Sequence, residues 1–93
     1  MLFRSYLEAF GLFPQGESFL ALQDDTTARN GPRPINTGGG ALGMGRLHGT
    51  PQLIEAVLQT QGRAGPRQVA GARVGLAHTV GRGANACCVI VTR

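Results

Sequence analysis

Apolar residues recur along the chain in two rhythms. Leu53, Ile54, Val57 and Leu58 are spaced by threes and fours, so one face of residues 51–61 is apolar and a helix is predicted there. Thr50 is a suitable N-cap, Pro51 fits the first helical position and Gly62 ends the run. Phe3, Leu7 and Phe10 share a face in the same way. Residues 5–12 therefore read as the end of a helix, with Gly11 as its C-cap. Ser18–Gln23 is predicted as a short strand and Arg73–His78 as another. Ala86–Val91 is an apolar run without alternation, the pattern of a strand covered on both faces. The short Gly81-Arg-Gly83 connection makes the last two strands antiparallel neighbours. Pro14-Gln-Gly16 is a turn, while Asp24–Pro34 and Arg63–Gly71 are loops in which Asp24 and Asp25 are solvated. There is no internal repeat. The order helix, strand, helix, strand, strand predicts an α/β or α+β fold. Two helices and 93 residues barely cover a buried sheet, so the chain reads as part of a larger fold.

Between the loop and the central helix lies Asn36-Thr-Gly-Gly-Gly-Ala-Leu-Gly-Met-Gly-Arg-Leu-His-Gly49, six of whose fourteen residues are glycine. A glycine-rich segment leading into a helix lets backbone approach a ligand and aims free N–H groups and the positive end of the dipole at it. Asn36 suits a turn or a bound water, and Gly38, Gly39 and Gly40 admit close backbone approach. Arg46 can pair with a phosphate or carboxylate. His48 and His78 each sit beside a glycine-rich turn. An imidazole at the position of His48 can donate a hydrogen bond to a developing oxyanion, and locking the loop is the structural alternative for both.

Composition narrows the class. Hydrophobic content is 42%, as in a globular chain. All nine basic residues are Arg and the net charge is +4, but the arginines are dispersed and aromatic residues are few. Nucleic-acid binding is therefore not expected, whereas an anionic small molecule is compatible. Cys87 and Cys88 are adjacent and badly placed for a disulfide. They read as small buried hydrophobes, and no metal site is expected. With no apolar run of membrane-spanning length and no leader pattern, a cytoplasmic location is expected.

The ordered motifs resemble the C-terminal end of a thiolase-type acyl-CoA acyltransferase. Asn36-Thr-Gly-Gly-Gly matches the family's Asn-x-x-Gly-Gly, and Gly45 and Gly49 match the outer glycines of Gly-His-Pro-x-Gly. A helix then follows, and the Gly75–Val91 stretch is similar to the closing hairpin. The family's motif histidine falls on Arg46, its proline on Leu47 and its late cysteine on Val80. The lipid-transfer and sterol-carrier branch is nearer. Gly45-Arg-Leu-His-Gly49 resembles its Gly-aromatic-x-His-Gly, and His78-Thr-Val-Gly-Arg-Gly83 resembles its His-Asn-x-Gly-x-Gly.

The resemblance implies an α/β fold, the C-terminal part of a layered αβαβα thiolase, with two helices on a small mixed sheet ending in an antiparallel pair. Residues 1–93 would be a partial thiolase C-terminal domain, with residues 1–5 non-native because Leu2-Phe-Arg-Ser5 matches an adapter-encoded peptide. It implies a coenzyme A thioester as substrate, no bound cofactor and a homo-oligomeric parent. Acyl transfer or carbon–carbon bond chemistry would be carried by His48 and His78, with Asn36, Gly38, Gly39, Gly40, Arg46, Gly49, Gly81 and Gly83 around the substrate. The family's nucleophilic cysteine lies outside this stretch, so the isolated chain is expected to be inactive and poorly stable. A non-catalytic acyl-CoA or lipid-binding subunit is one alternative. The other is a retro-aldolase acting on a steroid side-chain thioester.

Overall fold

A computed structural model describes residues 2–40, 43–45, 48–80 and 86–93, with backbone alone for residues 2–5. It divides into two compact units, residues 1–35 and 36–93.

In the first unit, helix α1 (Leu2–Ala9) buries Leu7 and stacks Tyr6 on Phe10, with ring centroids 6.2 Å apart. Gly11, at φ +74, takes the left-handed turn that ends it, as expected. Ser18–Gln23 is not a strand but a second helix, α2. Two facts decide this. Leu20, Ala21, Leu22 and Gln23 are good helix formers. The Glu8 carboxylate also accepts from the Ser18 hydroxyl at 2.6 Å and its backbone N–H at 3.4 Å, capping α2 from the preceding helix. Ser18 is fully buried by this contact. A 3-10 turn (Asp25–Thr27) follows, with Asp24 and Asp25 exposed as predicted.

In the second unit, helix α3 (Thr50–Thr60) lies on a hairpin of β1 (Val74–Val80) and β2 (Ala86–Thr92). The strands are antiparallel with Val74 opposite Thr92 and Val80 opposite Ala86, as the short connection predicted. Among the described residues the sheet has these two strands only, so it is antiparallel rather than mixed. Strand alternation puts Gly75, Ala77 and Thr79 on the α3 side. A Cβ on Gly75 would lie 3.0 Å from the Ala56 carbonyl oxygen, so helix and strand meet through their smallest residues. The core is correspondingly thin: among the described residues, Ala56, Ala64 and Ala77 are its buried apolar side chains.

The covered-strand expectation for Ala86–Val91 is not met within this chain. β2 is exposed along most of its length, and Cys87 and Cys88 are exposed free thiols, not core residues. On the face away from α3, Val74 (66% exposed), Leu76, Val80 and Ile90 (63%) form an open apolar surface. The chain is therefore expected to self-associate at micromolar concentration, and Ile90→Lys to suppress this. Sedimentation velocity checks it: a wild-type chain that stays monomeric at all concentrations contradicts the reading.

Candidate functional site

The glycine-rich segment reaches α3 at two places. At its start, Asn36 takes φ +56 and its carbonyl accepts from Gly39 N–H at 3.0 Å, a turn that asparagine tolerates. The next residue, Thr37, donates its hydroxyl proton to Glu55 Oε1 at 2.9 Å, and Gly38 lies over the Glu55 side chain. Glu55 also accepts from Gln59 Nε2 at 2.9 Å and pairs with Arg67 at 2.9 Å. The buried Gln59 binds onward, donating to the Arg67 carbonyl and accepting from Val69 N–H, both at 2.8 Å. One helix face thus ties down both the glycine-rich turn and the 64–69 loop. Arg67, chiefly, holds the Glu55 carboxyl below its ordinary range. Partial burial opposes this, and the Gln59 and Thr37 hydrogen bonds reinforce it.

At the segment's end, His48 and Gly49 both have positive φ (+49 and +88). Gly49, not Thr50, is the N-cap of α3; Thr50 and Pro51 lie in the first turn, and Leu53 N–H donates to the Gly49 carbonyl at 3.2 Å. Gly49 provides no side-chain cap, and Pro51 has no N–H, so Thr50 and Gln52 carry the first-turn N–H groups that the helix itself does not pair. A Cβ on Gly49 would lie 2.6 Å from both Cβ and Oγ1 of Thr79, so only glycine permits this approach.

The result is a cleft of about 140 Å³ at the N-terminus of α3, bounded by His48, Gly49, Thr50, Leu53, Thr79 and Cys87. His78 also borders it, yet alternation turns its side chain to the strand face opposite Thr79, beside Cys88. His48 is exposed at the rim and His78 is half-buried. Residues 48–49 and 78–79 meet at this cleft. Asn36, Gly38, Gly39 and Gly40 do not line this cleft; of the four, Gly38 lies against the Glu55 side chain. Arg46, Gly81 and Gly83 lie outside the described residues. Thr37, Thr50, Glu55, Gln59, Thr79 and Cys87 were missed in the sequence. Glu55 had a signal, because it is the only acidic residue in 36–93. Among the described residues no cluster of His, Cys, Asp or Glu is arranged for a metal ion, and no helix is long and apolar enough to cross a membrane.

A helix whose glycine N-cap packs onto a closing hairpin, with a cleft at that end, defines a small α/β unit. Comparison with known proteins makes the class specific. The thiolase C-terminal domain-like family matches over residues 3–93, and the chain belongs to that family. It is 37% identical over 78 residues to acetyl-CoA acetyltransferase of Methanothermobacter thermautotrophicus, covering 81% of this chain and 20% of that protein. It is 36% identical over 88 residues to sterol carrier protein 2 of Homo sapiens, covering 91% and 16%. It is 32% identical to non-specific lipid-transfer protein-like 2 of Caenorhabditis elegans, covering 82% and 19%. The chain thus spans a fifth or less of the length of these relatives. No solved structure matches at a significant level.

Two outcomes check the site. A carboxyl held below its ordinary value stabilises the fold above its unfolded pKa, about 4.3, and loses that contribution as pH falls through the lower folded value. Acid titration of wild type should show this loss, whereas Glu55→Gln should flatten the acid limb and cost about 1 kcal/mol at neutral pH. An unchanged acid limb in the variant contradicts the assignment. Gly49→Ala should cost about 1–3 kcal/mol through strain at positive φ and the Thr79 clash. Thr79→Gly in the same chain should restore part of it, as read from denaturant midpoints; a neutral Gly49→Ala contradicts the close approach.

Proposed function

We propose that this chain is the C-terminal part of an enzyme acting on acyl-CoA thioesters, and that the cleft at the N-terminus of α3 forms one wall of its thioester site. The reading is carried by the shared cleft of His48–Thr50 and Thr79, closed by the Gly49 contact. A thioester carbonyl gains negative charge as it is attacked or enolised. Donors fixed before the reaction stabilise that charge without reorganisation. The His48 imidazole and the Thr50 N–H are such donors on this wall. The nucleophile is assigned to the longer protein, consistent with the share of its relatives that this chain spans. Asn36, Gly38, Gly39 and Gly40 act one step back, where Thr37 and Glu55 set the path of the loop toward His48.

The variant readings rest on Arg46 and Val80, which replace the histidine and cysteine of ordinary thiolases, and on the sterol-carrier and lipid-transfer names of the relatives. They are a retro-aldolase on steroid side-chain thioesters, or a subunit that binds acyl-CoA or lipid without turning it over.

The test is the coenzyme A-dependent cleavage of a short-chain 3-oxoacyl-CoA by the full-length protein that carries this chain, in which one coenzyme A is consumed and two shorter acyl-CoA thioesters form. His48→Ala is expected to lower kcat by about 10²-fold with little change in KM. If wild type and variant are equally inactive while acyl-CoA still binds, the catalytic reading fails and the binding subunit stands.

A further inference from the structure

At the far end of α3, about 16 Å along its axis from the first cleft, lies a larger one of about 330 Å³. Val57, Gln61, Arg63, Val91, Thr92 and Arg93 line it. Residues 36–93 contain six arginines and a single carboxylate side chain, Glu55. Glu55 is engaged by Arg67, so this unit offers no carboxylate side chain to Arg63, Arg73 or Arg93. Among the described residues Arg63 Nη1 makes one long hydrogen bond, 3.4 Å to Gln61 Oε1. The Arg93 guanidinium lies over Gly62, with Nη1 3.8 Å from where a Cβ would stand.

The backbone adds a second observation. Arg93 N–H donates to the Arg73 carbonyl at 3.0 Å, one step beyond the Val74–Thr92 pair, which sets two arginines directly opposite each other. Like charges in that position destabilise a hairpin. The negative end of α3 offsets part of that repulsion. The hydroxyl of Thr60 is turned back to the Ala56 and Val57 carbonyls, at 3.1 and 3.0 Å, which leaves Arg63 and Arg93 as the charged side chains of the cleft.

We propose that this cleft binds a phosphate-bearing small molecule. Arg63 and Arg93 supply planar forks for the phosphate oxygens. Arg73 adds charge, and Val57 and Val91 contact the body of the ligand. The site goes beyond the acyl-CoA reading and does not depend on it, because the two clefts share no residue.

The test is residue-resolved arginine protection. The chain is treated with phenylglyoxal, with and without inorganic phosphate or adenosine 3′,5′-bisphosphate at matched ionic strength, and the modified positions are read by mass spectrometry. At several times the dissociation constant, Arg63 and Arg93 should react roughly fivefold more slowly, with Arg29 and Arg33 unchanged. Stronger protection by the bisphosphate identifies a nucleotide-type ligand, and equal protection identifies free phosphate. As a second measurement, the bisphosphate should raise the melting temperature of wild type and of Arg29→Ala, but not of Arg63→Ala or Arg93→Ala. Equal protection of every arginine, or no protection together with an unchanged melting temperature, overturns the proposal.

Discussion

Between Gly49 and Thr79 there is no room for a side chain. That contact fixes where α3 begins relative to the hairpin, and the remaining geometry of the 36–93 unit follows from it. A Cβ at 2.6 Å from Thr79 is sterically excluded, and a φ of +88 is one that other residues resist, so two independent constraints select glycine at one position. The helix then runs back along β1, where Ala56 meets Gly75 by the same logic of small residues in close approach. Because this seam is built from glycine and alanine, it brings backbone to backbone but buries little apolar area. Much of the sheet's apolar surface is left open.

The thin core shifts weight onto polar connections. Glu55 and Gln59, one turn apart on α3, bind Thr37 on one side and the Arg67–Val69 backbone on the other. A buried amide satisfied at both its oxygen and its nitrogen specifies loop position more sharply than an alanine contact can. The glycine-rich segment accordingly divides by position: its first residues are held at the middle of the helix, and its last two, His48 and Gly49, line the cleft. Family membership accounts for both halves being present in one chain, since matched residues 3–93 include each of them.

Periodicity made the long elements legible. The spacing of Leu53, Ile54, Val57 and Leu58 fixed α3, and the β-rich stretches around Val74–Val80 and Ala86–Thr92 fixed the hairpin and its direction. Ser18–Gln23 misled because six residues carry too little pattern to separate a strand from a helix; the Glu8 carboxylate, ten residues away, made the choice. The apolar run of β2 reads as a strand covered on both faces, yet β2 is exposed along most of its length, Cys87 and Cys88 included. The position of His48 at the start of a helix was legible from the residues that follow it. The divergence of His78 from it required the strand register, which fixes the face each side chain occupies. Glu55 and Gln59 were hidden because a polar pair on a helix reads as a solvated face until a loop is known to pack on it.

The most direct measurement of the central constraint is a nuclear Overhauser experiment on the chain, observing the Gly49 α-protons and the Thr79 γ-methyl. Strong cross-peaks between them, accompanied by Ala56 methyl to Gly75 α-proton contacts, are the predicted result. Their absence, in spectra that still show the β1–β2 ladder, would mean that α3 starts elsewhere and that the cleft assigned to the thioester does not exist.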